Sequence, residues 1–155
     1  MAVLEATMAA IRHYCAYQDR CHSEVRSKLL SLECYGEELE EAISTLIEEH
    51  FLDEERYEQS YTPGKFLMNK WGRIRIKQQL KLKKVSDYCI RKGLAQINEV
   101  EYAHTLQELM EKKLAALSSE RNEWVRKQKV YQHLMQKGYE SDLIQDTWTA
   151  LNQSS

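Results

Sequence analysis

The sequence predicts an all-α protein built of repeats, and three observations predict it. Five glycines and one proline in 155 residues are about a third of average usage, too few for the many turns of a sandwich or barrel. Apolar residues recur at three- and four-residue steps along the whole chain, and no segment alternates apolar and polar long enough to argue for a strand. Apolar residues make up 43% and charged residues 30%, too apolar for a disordered chain and too charged for a membrane protein. A chain of this size can bury about 68–70% of its unfolded surface, so a core needs no disulfides. It is too short for a large two-domain enzyme.

The elements follow in order. Val25, Leu29 and Cys34 mark a basic helix and the turn after it, and Leu39, Ile43, Leu46 and Ile47 mark one stripe of an acidic amphipathic helix. A further helix begins near Asp53. Ser60-Tyr61-Thr62-Pro63-Gly64 holds the one strong breaker pair and is expected to end or kink that helix. Ile76, Leu80 and Val85 mark a second basic helix. Ala103, Leu106, Met110, Leu114 and Leu117 trace a stripe over four turns, and Ser118-Ser119 reads as a short connection. Val130, Leu134 and Tyr139 follow. Leu143, Ile144, Trp148 and Leu151 mark the last helix, with Ser141 at its N-cap or in its first turn and Asn152–Ser155 as a frayed tail. Gly36, Gly72, Gly93 and Gly138 fall between stripes, where a left-handed cap or tight turn would use them. Trp124 and Trp148 are placed in the core.

Laid over one another, the helices repeat. Val25/Leu29/Cys34, Ile76/Leu80/Val85 and Val130/Leu134/Tyr139 share steps of four and five, with starts 51 and 54 residues apart. An apolar pair follows each set, at Leu39/Ile43, Cys89/Ile90 and Leu143/Ile144. Two openings also match, Asp53-Glu54-Glu55-Arg56-Tyr57 and Asn98-Glu99-Val100-Glu101-Tyr102. The reading is a three-helix unit of about 50 residues that buries little alone and stacks on its neighbours, with repeats over 1–52, 53–97 and 98–155. A single irregular bundle is the alternative.

Charge is segregated although the total is only −2. From Glu33 to Glu58 eleven acidic residues accompany one basic residue, Arg56; from Lys65 to Lys92 ten basic residues accompany one acidic residue, Asp87. Glu5 interrupts the opening Met1–Ala10, so no secretory leader is expected there, and no apolar run approaches the length of a membrane span. Cys15, Cys21, Cys34 and Cys89 are expected as reduced, buried thiols of a cytoplasmic protein. His13, Cys15, Cys21 and His22 lack the close Cys-x-x-Cys pairing of zinc modules. No Gly-rich phosphate loop, Gly-x-Ser-x-Gly elbow or His-Glu-x-x-His is present, so neither an enzyme nor a cofactor is expected.

Three stretches carry a resemblance. Cys21-His22-Ser23-Glu24-Val25-Arg26-Ser27-Lys28-Leu29-Leu30, Glu49-His50-Phe51-Leu52-Asp53-Glu54-Glu55-Arg56-Tyr57 and Asn69-Lys70-Trp71-Gly72-Arg73-Ile74-Arg75-Ile76-Lys77-Gln78-Gln79-Leu80 resemble, in order and spacing, the RecX regulatory proteins. The likeness runs from about residue 10 to 150 and includes Leu134-Met135-Gln136-Lys137-Gly138-Tyr139. It implies three tandem three-helix repeats in an elongated, curved array. It also implies a monomeric regulator that binds the RecA recombinase filament on single-stranded DNA and restrains its growth, ATP hydrolysis, strand exchange and co-protease action. Thr62-Pro63-Gly64 departs from the family pattern, in which a helix continues past the aromatic at Tyr57, and the third opening at Glu101-Tyr102 is looser.

The basic stretch is the candidate partner-binding surface: Lys70, Arg73, Arg75, Lys77, Lys81, Lys83 and Lys84. At 100° per residue, Arg73, Lys77, Lys81 and Lys84 share one face, and such a row can meet phosphates or a carboxylate-lined groove. A solvated face of a core helix is the plainer reading. Trp71, just before Gly72, is either a hydrophobic staple or an exposed interface anchor. Glu37, Glu38, Glu40, Glu41, Glu48 and Glu49 form either a solvent face or a surface that repels DNA. A helical module that binds nucleic acid directly, if weakly, and a plain scaffold remain the other functional readings.

Overall fold

The computed structural model describes residues 3–153 of the chain. Among the described residues there are nine α-helices and no strand. They are α1 (Glu5–Tyr17), α2 (His22–Ser31), α3 (Gly36–Glu48), α4 (Glu54–Asn69), α5 (Arg73–Leu82), α6 (Asp87–Leu94), α7 (Glu99–Ala116), α8 (Glu123–Lys137) and α9 (Ser141–Gln153). The helices repeat in threes, so the periodicity in the sequence is that of a tandem three-helix unit. Ser154 and Ser155, the end of the tail read from the sequence, lie outside the described residues; Asn152 and Gln153 belong to α9.

The step of five that closes each repeated set has a local cause. The backbone N–H of Cys34 donates to Leu29 O at 3.0 Å, that of Val85 to Leu80 O at 3.1 Å, and that of Tyr139 to Leu134 O at 3.1 Å. Just before each donor the chain reverses through positive φ, at Glu33 (60°), Lys84 (61°) and Gly138 (101°). This is the left-handed helix stop in which the residue after the reversal bonds back five positions and lays its side chain over the helix it has left. Cys34, Val85 and Tyr139 are accordingly buried beside the apolar residues five positions earlier. Only the third of these stops uses glycine, so the cap does not depend on it.

The helix openings repeat too. Asp53 Oδ1 accepts from the Arg56 N–H at 3.1 Å before α4, and Asn98 Oδ1 accepts from the Glu101 N–H at 3.0 Å before α7. Each side-chain oxygen satisfies an N–H that the first helical turn leaves without a partner.

The chain folds as two compact units, Met1–Tyr61 with Gln79–Gly93 and Thr62–Gln78 with Leu94–Ser155. In the first, Ile11, Val25, Leu29, Ala42 and Leu46 are fully buried, and Met8, Cys15, Cys34, Leu39, Ile43 and Leu52 complete the cluster. All four cysteines are free and buried, and burial raises the pKa of Cys15, Cys21 and Cys34. In the second unit the core is Phe66, Ile76, Tyr102, Leu106, Met110, Val130, Leu134, Tyr139, Ile144 and Trp148. Tyr102 lies between Phe66 and Tyr139, with ring centroids 5.7 and 5.1 Å away.

Four expectations are corrected. Pro63 does not end α4, which runs from Glu54 to Asn69 with the proline inside it. The lost backbone bond and ring clash cost about 3 kcal/mol, and burial on either side of the proline, at Thr62 (0% exposed) and Phe66 (4%), offsets that cost. On α3 the buried stripe is Leu39, Ala42, Ile43 and Leu46, and Ile47 is exposed. On α7 the stripe opens at Tyr102, and Ala103 faces out. Trp148 is in the core, but Trp124 is 69% exposed, because six residues before Val130 it sits about 120° away from the buried face of α8.

Candidate partner-binding surface

Helix α5 begins at a corner whose backbone is fully engaged. The Gly72 N–H donates to Lys137 O at 2.7 Å and the Ile74 N–H to Gly138 O at 2.9 Å, so the first N–H groups of α5 satisfy carbonyls left over at the end of α8. A Cβ on Gly72 would stand 2.3 Å from Gly138 O, so this approach requires glycine. The Tyr139 hydroxyl donates to Lys70 O at 3.0 Å and Lys137 Nζ to Asn69 O at 3.1 Å. In the first unit the same relation recurs one repeat earlier: Ser23 Oγ, at the start of α2, donates to Lys83 O, past the end of α5, at 2.9 Å. Aligned on the repeated sets, Ser23 corresponds to Ile74 and Lys83 to Lys137, so one stacking rule is used twice.

The seven basic residues expected at the surface do not behave alike. Arg73 is spent on the fold of the second unit. Its guanidinium lies 3.8 Å over the Tyr102 ring, its Nη1 donates to Glu140 Oε2 at 2.9 Å, and its Nη2 forms an ion pair with Glu99 Oε1 at 2.6 Å, outside hydrogen-bond alignment. Its backbone N–H donates to the Tyr102 hydroxyl at 3.0 Å, and that hydroxyl donates to Glu140. Burial first, and then the Glu140 hydrogen bond, raise the Tyr102 phenol far above its ordinary pKa. The reason is angular: seven residues before the fully buried Leu80, Arg73 sits about 20° from it around the helix, whereas Lys81 sits about 100° away.

Arg75 lies 4.2 Å over Trp71, whose ring also has Lys65 Nζ 4.9 Å from its centroid, and its Nη1 donates to Gln136 O at 3.4 Å. Trp71 is therefore half-buried and held by cations rather than presented as a free anchor. Lys70, at φ 59°, and Lys77 are exposed in the second unit. Lys81 and Lys84 are exposed in the first unit, and Lys83 is partly buried. Among the described residues no carboxylate pairs with Lys70, Lys77, Lys81, Lys83 or Lys84. Ile74 in the second unit is 42% exposed, and Leu82 in the first is 75% exposed.

On the acidic helix α3 Glu40 pairs with Arg26, just past its end Glu49 pairs with Arg12, and the remaining glutamates face solvent or its margin. Sequence reasoning missed Tyr102, Glu99 and Glu140 as the partners of Arg73. The one signal available was the opening at Asn98, whose Glu99 and Tyr102 stand in the register of Glu54 and Tyr57.

These features define a tandem helical-repeat protein with a cationic helix at its middle. Comparison with known proteins makes the class specific. Models of the second and third three-helix domains of RecX match residues 53–94 and 99–148. Regulatory protein RecX of Oceanobacillus iheyensis is 28% identical over 132 residues, covering 85% of this chain and 48% of that protein. That of Halalkalibacterium halodurans is 26% identical over 146 residues, covering 94% and 54%. The crystal structure of RecX from Lactobacillus salivarius superposes with a TM-score of 0.84 at 26% identity, covering 96% of each chain. The chain belongs to the RecX family. It spans about half the length of the curated relatives it matches.

Proposed function

We propose that this chain is a non-enzymatic, monomeric, cytoplasmic regulator of the RecA recombinase that binds the RecA filament on single-stranded DNA and inhibits its ATP hydrolysis, strand exchange and co-protease action. Family membership supports the RecA partner. The observation that carries the contact surface is the set of exposed lysines on and beside α5 without carboxylate partners among the described residues. A solvated helix face gains little from leaving cations uncompensated, whereas a surface that meets an anionic partner uses them on docking. Lys70, Lys77, Lys81 and Lys84 are the contacts in this reading, Arg75 and Lys83 border them, and Arg73 supports them by anchoring the start of α5.

Inhibition follows as a population shift. A ligand that binds a restrained filament state more tightly than the cycling state slows every activity that needs cycling. The test is DNA-dependent ATP hydrolysis by RecA of the same source, titrated with this protein from far below stoichiometric amounts. Inhibition that disappears in Lys77→Glu/Lys81→Glu supports the reading, and undiminished inhibition by that variant removes α5 from the contact surface. The lysines also favour a second reading, direct binding to nucleic acid. That reading requires binding without RecA and an affinity that falls log-linearly with salt.

A further inference from the structure

A second cationic site lies within the second unit, on α7 and α8, and borders the start of α5 at Gln136 and Lys137. Two shallow grooves adjoin on the α7 and α8 side. One, of about 300 Å³, is lined by Lys112 and Lys113 from α7 and by His133 and Lys137 from α8, over a floor of Leu109 and Ala116. The other, of about 270 Å³, shares Lys113 and His133 and adds Lys129, Gln132 and Gln136. No Asp or Glu lines either groove. Glu120 Oε2 lies 3.5 Å from Lys129 Nζ. Burial, then Lys113 and Lys137, push the His133 imidazole pKa down, which marks a place where positive potential converges.

We propose that this cleft binds phosphate groups. Lys129, His133 and Lys137 stand one turn apart along α8, Lys112 and Lys113 face them from α7, and the Gln132 and Gln136 amides add neutral donors. Lysines act as point charges that can meet a tetrahedral phosphate from several directions, and nitrogen donors on two helices suit such a group. The apolar floor suits a ligand with an uncharged portion beside its phosphates. The phosphate belongs either to a free nucleoside triphosphate or to the backbone of a single-stranded nucleic acid. The site stands independently of the reading of α5.

The test uses the full chain and three probes at low salt: a nucleoside triphosphate, a short oligothymidylate and a poly-glutamate peptide. Binding is followed by calorimetry and by the His133 ring resonances in the unsubstituted protein. Lys112→Gln/Lys113→Gln and Lys77→Gln/Lys81→Gln serve as the groove and α5 variants, with circular dichroism as the fold check. The expected result is binding of at least one phosphate probe with movement of the His133 resonances, weakened tenfold or more by the groove variant. Binding of the triphosphate alone assigns the free source, and binding of the oligothymidylate alone assigns the backbone source. Equal binding of poly-glutamate, binding that is lost only in the α5 variant, or no movement of His133 with either phosphate probe overturns the site.

Discussion

Gly72 and Gly138 meet so closely that a Cβ on Gly72 would stand 2.3 Å from the Gly138 carbonyl oxygen. The obstructing atoms are backbone, so neither rotamer change nor side-chain motion can relieve the clash. Gly72→Ala is therefore expected to destabilise the protein by ~1–3 kcal/mol, the range of an overpacked site, measured by urea unfolding. Gly138→Ala meets the Arg75 backbone at 2.6 Å as well as a φ of 101° and should be at least as costly. A loss below experimental error in both variants would show that this corner relaxes and does not position α5.

Arg73 and Lys77 are one turn apart on α5, and their roles are expected to separate. Arg73→Gln leaves Glu140 and Glu99 without their cation and takes the stacked group from Tyr102. A loss of ~1–3 kcal/mol is expected, below that of a fully buried pair because Glu99 is exposed. Lys77→Gln, at an exposed position, should change stability by no more than about 0.5 kcal/mol while weakening the RecA inhibition proposed above. Paired unfolding and ATPase measurements check both. A Lys77→Gln variant that unfolds as readily as Arg73→Gln would contradict the division of roles.

What the sequence could reveal depended on how local the cause was. The four-then-five spacing at Val25/Leu29/Cys34, Ile76/Leu80/Val85 and Val130/Leu134/Tyr139 was legible because a bond spanning five residues sets it. The openings at Asp53 and Asn98 were legible because bonds spanning three residues set them. The ending of α4 at Pro63 was misread because local propensity was weighed without the burial of Thr62 and Phe66 that overrides it. Arg73 looked like one of four equivalent cations because a helical wheel does not show Glu140, 67 residues away. The lysines around His133 come from two helices that only the folded chain brings together.

The helix stops give a prediction of opposite sign. Glu33 holds φ 60° at an exposed position, and a side chain there costs roughly 1 kcal/mol that glycine avoids. Glu33→Gly should therefore leave stability unchanged or raise it by up to about 1 kcal/mol, the gain being reduced by the entropy of glycine in the unfolded chain. Glu33→Val, β-branched in a left-handed position, should lower it. Thermal or urea unfolding of the two variants checks the ordering, and a valine variant as stable as the glycine one would mean that the reversal is not held at residue 33.

His133 makes stability depend on pH in a definite direction. Burial and the nearby Lys113 and Lys137 lower its pKa in the folded state from about 6.5 in an unfolded chain. Below that value the unfolded chain binds a proton that the folded chain resists, so protonation favours unfolding and stability falls as pH falls. Above about 8 the imidazole is neutral in both states and contributes no pH dependence. His133→Gln keeps a neutral polar group in the groove and removes the proton linkage. The parent protein should therefore lose more stability between about pH 7 and 5 than His133→Gln does, as read from urea unfolding across that window. Binding a phosphate probe places an anion against the ring and should narrow the difference. Identical pH profiles for the two proteins would mean that His133 titrates as freely in the folded chain as in the unfolded one.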